Sequence, residues 1–244
     1  MRKFKFPSLQ HLARQWRETP ESVKATLLQF AKNAPTFSYD CLNDAIRDLF
    51  VLNVDYEQVA LGIASREKRD SVRANFLQLL PLIFDHFSSV RPDFIVTVAT
   101  QYYSIGRNLM VPFRPPMLYG VGGKLVLPWF IFWKSNPLNE RQNSLFITIV
   151  KEILENDPDL NNCEFQILDF SAPNNSTNRA LRVSRLNDYD ILSVQERDQM
   201  LEVFVEGFSL ATDELANLHD MPIGLHESPM DTSNVLQREI PFPK

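Results

Sequence analysis

Apolar residues recur at helical spacing through the first third of the chain and at strand spacing after it. Leu9 to Glu18 reads as a first helix. Thr19-Pro20-Glu21 is a start signal for a second: an N-cap threonine, a proline at the first helical position and an acid near the positive end of the dipole. Val23, Leu27, Leu28 and Phe30 form its apolar face, and Asn33-Ala34-Pro35 stops it. A third helix starts near Asp40, with Leu42, Ala45, Ile46, Leu49 and Phe50 inward. Asp55-Tyr56-Glu57-Gln58 caps a fourth. Val72, Phe76, Leu79, Leu80, Ile83, Phe84 and Phe87 mark a long fifth over 70–90, which Pro81 is expected to kink or divide.

The period changes after Arg91-Pro92. Phe94 to Ile105 is rich in β-branched and aromatic residues and predicts a strand, turned by Gly106-Arg107-Asn108 into a short second one over Leu109–Phe113. Tyr119 to Gly123 reads as a flexible approach. It leads to Gly123–Lys134, the most apolar run in the chain, with Trp129, Ile131 and Trp133 on one side and Phe130 and Phe132 on the other. A strand apolar on both faces is covered on both faces, so this run is expected at the centre of the sheet. Asn136-Pro137 ends it and caps a helix carrying Leu138, Leu145, Phe146, Ile149, Val150, Ile153 and Leu154. Glu164–Phe170 and Arg179–Leu186 are further strands, separated by a polar loop over Ala172–Asn178. Ser193-Val194-Gln195-Glu196 is a capping box that opens a last helix. The fold class expected is α+β: a helical N-terminal region packed on a mixed sheet of about five strands flanked by helices. The division expected is a helical region over 1–92, an α+β core over 93–216 on which helix 70–90 packs, and a poorly ordered tail over 217–244.

At 244 residues, 44% hydrophobic and 23% charged, the chain has the composition of a globular protein with a full core. A net charge of −5 argues against coating nucleic acid through bulk charge. The charge is uneven, however. Residues 1–37 hold Arg2, Lys3, Lys5, Arg14, Arg17, Lys24 and Lys32 against Glu18 and Glu21, and residues 93–136 hold Arg107, Arg114, Lys124 and Lys134 against Asp93 alone. The basic start has no apolar run after it to make a secretory signal, and no stretch approaches the ~20 apolar residues that span a bilayer. A cytoplasmic location with no membrane partner is expected. Cys41 and Cys163 are then reduced thiols, and the Asn174–Thr177 sequons carry no glycan.

His11, His86, His219 and His226 are isolated from one another and from cysteine, so no metal site is expected from them. The glycines at 120, 122 and 123 precede a strand, not a helix, and suit a hairpin better than a phosphate cradle. Tyr102, Tyr103, Arg107, Arg114, Tyr119, Lys124, Trp129, Trp133 and Lys134 form a basic, aromatic set suited to single-stranded nucleic acid. Most of these rings are also needed in the core. Arg107, Arg114, Lys124 and Lys134 are the candidate phosphate contacts.

The order helix, three strands, helix, strands over residues 70–186 resembles the core of the PD-(D/E)XK nuclease superfamily. The resemblance rests on that order, on Lys134 at the end of the third strand, and on Gln142 four residues before Phe146, similar to the Gln-x-x-x-Tyr helix of the RecB-like branch. It implies an acid-x-Lys ending and an earlier acid that together hold Mg²⁺, with the lysine positioning the attacking water. Here Phe132 stands in the acid's place, and neither Gly122 nor Lys124 supplies the earlier one. Asp93, Glu164 and Asp169 are the candidates for relocated acids. Lys134 and Asp169 are the candidate catalytic residues, although a strand-end carboxylate such as Asp169 also serves by accepting N–H groups of the next turn. Three functions follow. The first is a nucleic-acid-associated domain on a degenerate, non-catalytic nuclease-like core with no cofactor. The second is a protein–protein adaptor without a nucleic-acid role. The third is a nuclease with relocated acids, the one case that requires Mg²⁺.

Overall fold

The computed structural model describes residues 7–32, 38–173, 176 and 178–219. The helix stop at Asn33-Ala34-Pro35, part of the polar loop, and the tail beyond His219 lie outside the described residues.

The fold is α+β. Among the described residues seven α-helices and seven strands run in the order α1 (Leu9–Gln15), α2 (Pro20–Lys32), α3 (Asp40–Phe50), α4 (Tyr56–Arg66), α5 (Asp70–Val90), β1 (Phe94–Val96), β2 (Gln101–Ser104), β3 (Met110–Phe113), β4 (Leu118–Val121), β5 (Lys124–Ile131), α6 (Glu140–Asn156), β6 (Glu164–Asp169), β7 (Arg182–Arg185) and α7 (Val194–His219). Five strands make a mixed sheet in the order β1-β4-β5-β6-β7, and β2 and β3 form a separate ribbon. Strand β5 is central. It runs antiparallel to β4 and parallel to β6, with Trp129 opposite Ile167 and Ile131 opposite Asp169. The parallel pair needs a crossover, and α6 supplies it.

The alternation of β5 divides the core in two. Leu127, Trp129 and Ile131 join Phe165 and Ile167 beneath α1, α2, α6, α7 and the β2–β3 ribbon. Val126 and Phe132 join Leu168 and Phe170 beneath α3, α4 and α5, with Phe130 half-buried against them. The helices before residue 92 are therefore shared between both faces of the sheet. On one face α2 lies against α7 at Gly207, where a Cβ would stand 2.6 Å from both the Pro20 carbonyl oxygen and the Val23 Cβ.

The structure departs from the sequence pattern at several places. The stretch 94–105 is two strands, because β1 pairs with β4 while β2 leaves the sheet to pair with β3. Pro112 sits in β3, and a two-stranded ribbon has an open side on which a proline costs no ladder bond. The segment before Lys124 is strand β4, and Gly122 and Gly123, at φ of 55° and 77°, make a two-residue turn into β5 that wants positive φ at both positions. Helix α5 runs unbroken through Pro81, and α1 ends at Gln15. Helix α6 starts after Leu138: Asn139 is its N-cap and Gln142 completes the capping box. Helix α7 continues to His219, two residues past the expected start of the tail. The Ser193–Glu196 box is present, with Ser193 N donating to Glu196 Oε2 and Glu196 N to Ser193 Oγ.

Candidate functional site at the carboxyl ends of β5 and β6

Parallel strands that end side by side leave a crevice at their carboxyl ends, where connecting segments bring side chains together. Here five segments converge. Strand β5 exits through Phe132 and Trp133. The chain after β6 brings Arg179, whose Nη1 donates to the carbonyls of Phe132 at 3.1 Å, Trp133 at 2.8 Å and Phe170 at 3.1 Å. Its Nη2 donates to Asn75 Oδ1 of α5. One guanidinium thus ties both strand ends to a helix. Its Nε–H and second Nη2–H remain without a protein acceptor among the described residues.

From the other layer, α1 sends Arg14 over the Trp133 ring, 5.1 Å from its centroid. Arg14 donates to no acceptor among the described residues. His11, one turn earlier, lies 5.8 Å from the Trp133 ring and 5.7 Å from Phe30 of α2. Tyr39, just before α3, packs on Phe132 at 5.5 Å and is hydrogen-bonded to Asn75. The site therefore bridges the two helical layers across the end of the sheet.

Its electrostatics are those of half-buried cations short of anions. Burial, and then the like charge of Arg17, lower the pKa of Arg14, with Tyr39 acting the other way. Burial likewise lowers that of Arg179, opposed by Tyr39 and Asp169. Both remain cations at neutral pH. Burial, aided by Arg14, holds His11 down to about 4, so its ring is neutral, and its buried Nδ1 finds no partner among the described residues. Burial raises the Tyr39 phenol against the pull of both arginines.

The residues singled out in the sequence are placed as follows. Lys134 is exposed beside Trp133 at this end, and its backbone carbonyl accepts from Ala172 N at 2.8 Å. Lys124 begins β5 at the other end, about 23 Å away along the strand. Arg107 is exposed in the β2–β3 turn beside Arg197 and Asp198 of α7, and Arg114 is exposed just after β3. The four cations therefore do not share one surface. Asp169 ends β6, buried, and accepts from Ser171 N at 2.8 Å, Arg182 Nη2 at 2.9 Å and Asn136 Nδ2 at 3.2 Å. Asp93 and Glu164 stand at the opposite end. Asp93 accepts from Gly122 N, and Glu164, about 17 Å along β6 from Asp169, pairs with Arg185. Gln142 is consumed structurally: it closes the α6 cap and donates to the carbonyls of Arg14 and Trp16.

A hard cation such as Mg²⁺ requires several oxygen ligands in one place. The three candidate acids do not converge, and Asp169 already accepts three donors, so the residues present do not fit the metal that the nuclease resemblance implies. Among the described residues no three of His, Cys, Asp and Glu cluster for a metal. Sequence reasoning missed Arg14, Tyr39, Asn75 and Arg179. The only cue was the excess of base in residues 1–37, which says nothing of where one arginine is delivered. No protein-family model matches the chain, and no curated protein matches it significantly.

Proposed function

We propose that this chain is a nucleic-acid-associated domain with a nuclease-like core that holds phosphate and does not cleave it. One observation carries the reading. Where the resemblance calls for metal-binding carboxylates beside a lysine, Phe132 is buried at 4% exposure and the surrounding charge comes from Arg14 and Arg179. Guanidinium forks match phosphate oxygens, and an aromatic-rich cationic site suits a single strand. Support also comes from the order α5, β1, β4, β5, α6, β6, which keeps helix, three strands, helix, strand once the β2–β3 ribbon is set aside. The free thiols Cys41 and Cys163 are in keeping with a cytoplasmic location. No helix among the described residues is long and apolar enough to cross a membrane. The adaptor reading draws on scattered exposed residues such as Leu61 and Tyr102, which are ordinary on a protein surface.

The test is binding of a labelled single-stranded oligonucleotide across a salt series, with a parallel cleavage assay in Mg²⁺ and Mn²⁺. Affinity should fall linearly on a log–log plot as salt rises, with no cleavage. Binding insensitive to salt, or absent, would favour the adaptor. Robust metal-dependent cleavage that disappears on Lys134→Ala would establish the nuclease instead.

A further inference from the structure

Resting on that reading, we infer that the ligand group of the carboxyl-end site is a phosphate monoester, the terminal phosphate of a strand, and not an internal phosphodiester. The first argument is charge. Arg14 lies over the Trp133 ring, Arg179 donates to the Trp133 carbonyl, and both act on Tyr39; Arg17 adds a like charge beside Arg14. Asp169 is the one carboxylate acting on Arg179, and it is bonded to Arg182. A half-buried pair of cations without its own acids is costly unless an anion completes it. A monoester carries nearly two negative charges at pH 7, whereas a diester carries one.

The second argument is donor count. Among the described residues Arg14 has no acceptor for its five N–H donors, and Arg179 has none for two of its own. A monoester offers three terminal oxygens to these forks, and a diester only two.

The experiment is anisotropy binding of one single-stranded sequence in three forms: 5′-phosphate, 3′-phosphate, and hydroxyl at both ends. Nucleoside monophosphate, inorganic phosphate and a phosphoserine peptide serve as competitors. A phosphorylated end should bind roughly tenfold tighter than hydroxyl ends, the scale of a charge-assisted hydrogen-bond set. The preferred end identifies the source, and displacement by inorganic phosphate shows that the group itself is read. Arg14→Gln should abolish the preference while the far-ultraviolet circular dichroism spectrum stays that of the folded protein, because that side chain donates to no described acceptor; Arg179→Lys, which keeps the charge, should reduce it. Equal, salt-dependent binding of all three forms would overturn the monoester inference and leave the nucleic-acid reading standing. Absence of salt-dependent binding by any form would sink both. Tighter binding of the phosphopeptide than of any oligonucleotide would overturn the assignment to a strand end.

Discussion

The two ends of strands β5 and β6 use their charges in opposite ways. At the amino end each acid finds a local answer: Glu164 pairs with Arg185, and Asp93 accepts the turn amide of Gly122. These are exposed, self-contained arrangements around a tight glycine turn. At the carboxyl end Asp169 is satisfied too, but Arg14 and Arg179 keep donors without an acceptor among the described residues, half-buried among Trp133, Tyr39 and Phe132. The difference is one of delivery. At the amino end each contact joins adjacent strands of one sheet, β1 to β4 and β6 to β7, whereas the end of the parallel pair gathers segments from α1, α3, α5 and the chain after β6. An uneven charge count along a sequence therefore says little until the topology says which cations are brought to one place.

The largest effect that can break this comparison is on stability. Arg179→Ala should cost about 3–5 kcal/mol, because it strips three strand-end carbonyls and Asn75 of their donor. Arg185→Ala, at the other end, removes an exposed ion pair worth under about 1 kcal/mol. Urea denaturation of both variants measures the contrast, and equal losses would remove it.

Next comes pH. His11 has a folded pKa of about 4, below its ordinary 6.5. The unfolded chain therefore binds the extra proton between those values. The stability of keeping His11 neutral is fully present above about pH 6.5 and is lost as pH falls towards 4, by about 3 kcal/mol in all. His11→Gln should flatten the stability profile over that window relative to the unsubstituted protein. Parallel profiles would mean that the ring is not held neutral by the packing around Trp133.

The smallest effect separates Lys124, which begins β5, from Lys134, just past its end. Lys134→Ala should weaken oligonucleotide binding uniformly across sequences and lower the salt slope by about one unit, with stability changed by under about 1 kcal/mol. Lys124→Ala should leave the slope unchanged. A slope that falls for Lys124 would move the interface to the amino end.

Much of the fold was legible because its signals are local. Trp129 and Phe130 announce a doubly buried strand, Thr19-Pro20 and Ser193–Glu196 announce helix starts, and Gly122-Gly123 announces a hairpin once β4 is recognised. The strands of 94–121 were harder. Nothing in Phe94–Ile105 says that its two halves serve different sheets, since that choice is made by partners at Leu118–Gly120 and Met110–Phe113. The site was least legible. Arg14 reads only as one of the bases in residues 1–37 and Arg179 as the first residue of a strand, and only the meeting of α1 with the strand ends gives them a shared environment.

The most direct measurement is a ¹H–¹⁵N titration of the protein with a single-stranded oligonucleotide, following the three indole resonances together with the backbone amides of the β4–β5 turn. The account predicts that the Trp133 indole, under Arg14 at the carboxyl end, shifts saturably, while buried Trp129 and the amides of Gly122, Gly123 and Lys124 stay in place. Shifts confined to Gly122–Lys124, with Trp133 unmoved, would contradict it.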